Sequence, residues 1–436
     1  MNFVSTRAGD PVSLDEAMLR GIAADGGLFV PDHWPTFSVQ QFAGADTIDA
    51  VASIFLRPFF AGSRLAGELD TIVEETFCFP IPTRTLPMAG GNASMLELFH
   101  GPTAAFKDVG ARFLAACMVR LQKGGEQPLT ILVATSGDTG GAVAAAFDNR
   151  PGMRVVVLFP HGRVSPRQER QLTCWGDNVL SLAVRGSFDD CQELVKAMMS
   201  DPDSRAEYRF SSANSINIGR LLPQCTYYAD ASLRHFRRTG RKASFIVPTG
   251  NLGNGFACIA ARHAGLPIGN IILATNANRL IADFLQGSKW RPRASIATLA
   301  TAMDVGYPSN MERLRHLLGD ADSLSKALRA GTVNDDEIRE QIRKDFRRFG
   351  FAVCPHTATA TCAYDRLRES ERVNEDWILV ATAHAAKFEA VVEPLIGAIV
   401  PVPEALAKIL SRPSRAITIE PELRSLNDAL QHRFAA

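Results

Sequence analysis

Several common chemistries are missing from this 436-residue chain, and each absence narrows the reading. The eight cysteines (Cys78, Cys117, Cys174, Cys191, Cys225, Cys258, Cys354 and Cys362) form no C-x-x-C pair. A disulfide framework does not suit a chain of this length, so reduced thiols in a cytoplasm are expected, with Cys117 and Cys258 as small core residues. The nine histidines form no ligand-spaced pair and no H-E-x-x-H, so no metal site is expected. His161, His263 and His356 read singly as surface or satisfied core residues. G-x-S-x-G is also absent, and with it the nucleophile elbow of the α/β hydrolases. A formal net charge of +1 supplies no overall field for nucleic acid or an anionic membrane. No long apolar run is free of Pro, Gly or polar interruptions, which argues against a membrane span. Charge appears early (Arg7, Asp10, Asp15, Glu16) without an apolar h-region, so no signal peptide is expected.

What remains is ordinary globular composition, 46% hydrophobic and 21% charged, enough for two or three domains. Residues 1–95 read as a mixed N-terminal region with helices over 14–22, 51–60 and 65–77, then a turn-rich connector over 88–92. Beyond it, strand and helix alternate. Strands are expected over 129–134, 154–159, 179–184, 210–213, 244–247, 270–274 and 377–381, and helices over 109–121, 140–147, 188–199, 220–236 and 253–264. Continuous apolar strands separated by helices imply α/β architecture, with largely parallel sheets buried on both faces. Boundaries are set at 96–215 for a smaller α/β domain and 216–436 for a larger one. Ligands in such folds bind at the carboxyl ends of strands.

Three stretches there carry chemistry. In His100-Gly101-Pro102-Thr103-Ala104-Ala105-Phe106-Lys107-Asp108 a lysine stands at the start of an apolar helix. Burial would lower its pKa and make it a Schiff-base former, while a snorkelling helix-start lysine is the plainer alternative. In Pro248-Thr249-Gly250-Asn251-Leu252-Gly253-Asn254-Gly255-Phe256 glycines and a helix N-terminus converge as in a phosphate cradle, or form a simple strand-to-helix turn. The loop is neither a Walker A nor a G-x-G-x-x-G motif. In Ala134-Thr135-Ser136-Gly137-Asp138-Thr139-Gly140-Gly141 hydroxyls at a helix start suit a carboxylate, and Asp138 or Thr139 would cap the helix.

Together these motifs resemble the threonine synthase family, pyridoxal-phosphate (PLP) enzymes of the tryptophan-synthase-β-like fold type II, in its microbial and fungal branch. The resemblance also covers Ser5-Thr6-Arg7, Asp25-Gly26-Gly27-Leu28-Phe29-Val30-Pro31, Asn214-Ser215-Ile216-Asn217, Arg220-Leu221-Leu222-Pro223-Gln224, Met303-Asp304-Val305-Gly306, Pro308-Ser309-Asn310, His356-Thr357-Ala358 and Thr382-Ala383-His384. It implies conversion of O-phospho-L-homoserine and water to L-threonine and phosphate. It also implies Lys107 as the catalytic Schiff-base lysine, with Gly250, Asn251, Leu252, Gly253 and Asn254 on the PLP phosphate and Thr382 on the pyridine nitrogen. Thr135, Ser136, Asp138 and Thr139 would face the amino-acid end of the substrate, and Asn214, Ser215, Asn217, Arg220 and Lys387 the leaving phosphate. Ala385 replaces a proline usual in that family, which frees the backbone before Lys387. A phospholyase or dehydratase on the same fold is the alternative activity. A monomer or weak homo-oligomer, with no nucleic-acid or membrane partner, completes the expectation.

Overall fold

The computed structural model describes residues 1–88, 91–122, 126–135 and 137–434. Near the N-terminus, β1 (Phe3–Ser5) pairs antiparallel with β2 (Phe29–Pro31). The strands that follow are β3 (Thr83–Thr85), β4 (Asn92–Glu97), β5 (Leu129–Ala134), β6 (Met153–Pro160), β7 (Val179–Val184) and β8 (Arg209–Ser212). Then come β9 (Ala243–Pro248), β10 (Ile268–Thr275), β11 (Arg329–Thr332), β12 (Asp376–Ala381) and β13 (Ile417–Ile419). Two larger sheets result among the described residues. One has the order β11-β10-β9-β12-β4-β3 and is parallel except for β3. The other, β13-β7-β6-β5-β8, is parallel throughout. Every residue of β5, β7, β9 and β12 is buried, as continuous apolar strands between helical layers require.

Strand membership crosses the expected boundaries. β4, which begins inside the N-terminal region, pairs with β12 along its whole length, and β13 near the C-terminus pairs with β7. The chain thus leaves and re-enters each sheet, and the two sheets are tied together by covalent crossings.

Local chemistry explains where the helices differ from expectation. Ser13 caps Leu14–Arg20, and Gly21 at φ +73° ends it two residues early. The pattern over 51–60 becomes Ile48–Leu56, capped by Thr47, and then a 3-10 turn Arg57–Phe60 where Pro58 stands. Pro223 lies inside the helix Ile218–Thr239, beyond its first turn, where the missing N–H removes one intrahelical bond. The N-terminal helices pack on Lys107–Leu121 and Ile218–Thr239, so the N-terminal region shares the main core.

Phe55 shows how that docking is held. It is wholly buried, stacked on Phe37 at 5.2 Å and tilted on Phe59 at 5.8 Å between ring centroids. Phe55→Ala is expected to destabilise the protein by about 3–5 kcal/mol in a urea unfolding titration, the usual loss for a buried aromatic.

Candidate functional site

Three neighbouring parallel strands, β9, β12 and β4, end on the same edge of the six-stranded sheet. The loops that leave them carry Thr249 to Leu252, Thr382 to His384, and the turn His100 to Phe106 that runs into Lys107. The carboxyl ends of β5 and β8, adjacent in the other sheet, lead into Thr135 and Ala213. The loops meet at a cleft of about 1880 Å³, lined among others by Lys107, Thr135, Thr139, Asn214, Ser215 and Asn251. The N-terminal region contributes Thr6, Arg7 and Gly26 to the same wall.

Lys107 opens the helix Lys107–Leu121 and is half-buried, facing the cleft. The turn before it is fixed by its neighbour. Asp108, buried, accepts from the Thr103 amide (2.9 Å) and the Thr103 hydroxyl (2.6 Å). Any side chain at position 101 would meet the Asp108 carboxylate at 2.5 Å, so glycine is required there. On the other side, the Phe106 amide donates to Thr382 O at 2.8 Å and the His384 amide to Ala104 O at 3.0 Å, which laces the lysine turn to the Thr382 loop.

Lys387 is buried in a 3-10 turn, Ala385–Phe388, capped by His384, whose Nδ1 accepts from the Ala386 amide at 3.2 Å. That cap, with Ala385 and Ala386 packed in the core, supplies the order that a proline would otherwise give. The Lys387 Nζ sits 2.7 Å from Asp138 Oδ1 and donates to Thr103 O at 2.8 Å. Gln168 Nε2 also donates to Asp138 Oδ1, at 3.3 Å.

These contacts divide the charges. Burial opposes ionisation of Asp138, yet Lys387, Lys107 and His356 together hold its carboxyl well below the usual carboxylate range. Burial pushes Lys107 down to about 8; Asp138 works against the shift, while Arg220 and Lys387 add to it. Burial likewise lowers His356 to about 4. Its Nε2 accepts from the Ala302 amide at 3.0 Å, so the neutral ring carries its proton on Nδ1, towards Cys354.

The Gly-Asn loop rises from β9 into the helix Gly253–His263. Leu252 occupies the cap position at φ +64° and offers no side-chain cap to the first amides. Thr249 Oγ1 and Thr301 Oγ1 nearby are buried without a hydrogen-bond partner. Asn251 spans to the next loop, Nδ2 donating to Ser215 Oγ at 2.7 Å. Asn254 turns inward, where Oδ1 accepts from the hydroxyls of Tyr227 (2.7 Å) and Tyr228 (2.8 Å).

Some expected residues have other duties. The capping role proposed for Asp138 or Thr139 falls instead to Gly137 and Thr135: the helix begins at Asp138, and Thr135 Oγ1 accepts from the amides of Gly137 (3.0 Å) and Gly140 (2.9 Å). The Asn217 side chain is engaged within the fold, donating to Met18 O and Ser212 O and capping Ile218–Thr239. Arg220 is buried, with Nη1 on Ala213 O at 2.7 Å and Nε without a partner. Ser136 lies outside the described residues. Gln168, Asn310 and Arg313 were not singled out by sequence reading. Asn310 closes the quoted Pro308-Ser309-Asn310 motif, and Arg313 stands three residues beyond it.

Comparison with known proteins follows the same lines. The family model described as pyridoxal-phosphate dependent enzyme matches residues 93–383. The models for the threonine synthase N terminus and C-terminal region match 2–77 and 357–429. The threonine synthase of Escherichia coli (strain K12) is 38% identical over 401 residues, 92% of each chain. A PLP-bound threonine synthase from Brucella melitensis superposes with a TM-score of 0.91 at 34% identity over the full length of both chains. The yeast enzyme does so with a TM-score of 0.89 at 29% identity, over 100% of this chain and 99% of the other.

Two outcomes follow from the charge arrangement. Lys387→Met strands the Asp138 carboxylate and is expected to destabilise the cofactor-free protein by about 3–5 kcal/mol, while adding Asp138→Asn recovers most of the loss in the same denaturation series. For Lys107 the folded pKa lies below the unfolded one, so the unfolded state binds more protons between about 8 and 10.5. Stability of the cofactor-free protein should therefore gain a rising contribution across that window, and Lys107→Met should lack it.

Proposed function

The chain belongs to the threonine synthase family of PLP-dependent enzymes, and from that premise we propose that its cleft converts O-phospho-L-homoserine and water to L-threonine and phosphate. The reaction is γ-elimination followed by addition of water at the β-carbon, the last step of threonine biosynthesis. The observation that carries this reading is the convergence of Lys107, the Gly-Asn loop and the Thr382 loop at the ends of three adjacent strands.

The residues present fit the cofactor. Leu252 leaves the first amides of Gly253–His263 without a side-chain cap, and two buried threonine hydroxyls nearby lack partners. An anion at that helix start would meet both needs. Gly250, Asn251, Leu252, Gly253 and Asn254 would hold the phosphate through main-chain amides, and Thr382 would offer a neutral hydroxyl to the ring nitrogen. When bound, PLP supplies an electron-withdrawing ring that stabilises carbanions beside the substrate nitrogen.

Lys107 would hold the cofactor covalently, and burial, which lowers its pKa to about 8, keeps a useful share of its amine neutral at physiological pH. Its Nζ, facing the cleft, would take the α-proton and, once that proton has been passed on, a β-proton. Thr135 and Thr139 line the cleft at the amino-acid end, with Asp138 acting through its ion pair. Asn214 and Ser215 line the cleft as candidates for the leaving phosphate, with Arg220 and Lys387 supplying positive charge behind them. Asn217 shapes this loop from within the fold. Among the described residues no helix is long and apolar enough to cross a membrane. Eight unpaired cysteines support a cytoplasmic location, and a monomer or weak homo-oligomer completes the proposal.

Purified protein supplied with PLP and O-phospho-L-homoserine should release phosphate and threonine in equal amounts. Phosphate with a keto acid and no threonine would mean a phospholyase instead. Lys107→Ala should lower turnover by at least about 10³-fold, while the folded protein still takes up PLP non-covalently in an absorbance titration.

A further inference from the structure

The Met303-Asp304-Val305-Gly306 and Pro308-Ser309-Asn310 motifs have no part in the chemistry above, yet they bracket the Gly-Asn loop. A Cβ at Gly250 would stand 2.6 Å from Met303 Cα, so the loop lies directly against that segment. The Ser309 amide and hydroxyl both donate to Asn251 Oδ1, at 2.6 and 2.9 Å. Asn310, wholly buried, donates from Nδ2 to Asn251 O (3.0 Å) and Ser215 O (3.3 Å), gripping both cleft loops with one amide.

Asn310 is itself oriented. Arg313 Nη1 donates to its Oδ1 at 2.6 Å, which fixes which end of the amide faces the loops. Arg313 is also wholly buried, and its other groups reach Phe29 O (Nε, 3.0 Å) and Ile216 O (Nη2). Asp304 anchors the far end of the bracket by accepting from Thr298 Oγ1 at 2.6 Å and from Asn276 Nδ2, just beyond β10, at 2.7 Å. The loop needs such a brace. Leu252 is held at φ +64°, a conformation that a non-glycine residue keeps only when its surroundings enforce it.

We infer that Asn310, oriented by Arg313, is a positioning residue that holds the Gly-Asn loop backbone in its phosphate-binding shape and locks it to the Ser215 loop. The inference rests on the reading of that loop as the PLP phosphate site. Through Phe29 the same buried guanidinium ties the brace to the N-terminal region.

Asn310→Asp is the discriminating variant. It keeps the acceptor for Arg313 and nearly the same volume, but points a carboxylate oxygen at two carbonyl oxygens where an N–H had been. PLP titrated into cofactor-free protein and followed by fluorescence should bind at least about tenfold more weakly than to the native chain, and saturating PLP should restore most of kcat. Ser309→Ala, which removes a single donor and is safe for folding, should weaken PLP binding about threefold. Native binding with dissociation constants within twofold in both variants would overturn the inference alone. A native chain that binds no PLP would overturn the cofactor reading and the inference with it.

Discussion

The buried contact between Lys387 and Asp138 is the constraint on which the site depends. It joins the loop after β12 to the helix that follows β5, and so fixes one sheet relative to the other. Lys387 also holds Thr103 O, and Thr103 holds Asp108, the residue beside Lys107. A buried ion pair contributes little net stability, because desolvation of both charges offsets their attraction. Its value here is geometric: the partners must be brought together for either charge to be tolerated, and bringing them together sets the lysine turn.

The same contact sets the two lysines apart. Lys387 and the Arg220 guanidinium both act on Lys107, and two buried carboxylates, Asp138 and Asp108, lie among these cations. Asp138 pairs directly with Lys387 and, from further off, offsets part of the effect of burial on Lys107. Burial outweighs it, and Arg220 and Lys387 add to the lowering, so the neutral amine is favoured. One lysine serves as a fixed counter-charge, and the other is left with the properties of a nucleophile and a base.

Sequence reading recovered what local pattern encodes. The strands at 129–134 and 179–184 coincide with β5 and β7, because continuous apolar runs between turn residues admit little else. The three loops at the cleft were legible as well, since glycine, hydroxyl and lysine at strand-to-helix junctions carry a specific signal. β4 was not: its short run has meaning only beside β12, 284 residues later in the chain. The cap at Thr135 was missed because a threonine in a Thr-Ser-Gly run looks like loop, and Asp138 looks like the better cap until its carboxylate is seen turned towards Lys387. The roles of Asn310 and Arg313 depend on carbonyl groups of distant loops, to which side-chain spacing gives no access.

The central claim is that Lys107, which faces the cleft, and not the ion-paired Lys387, carries the cofactor. Borohydride reduction of the PLP-loaded protein makes the lysine–cofactor bond permanent, and peptide mass spectrometry then locates it. The account predicts the pyridoxyl group on the peptide that contains Lys107, with Lys387 unmodified. A pyridoxyl group on Lys387 would contradict it, because the charge assignment at Asp138 would then be reversed.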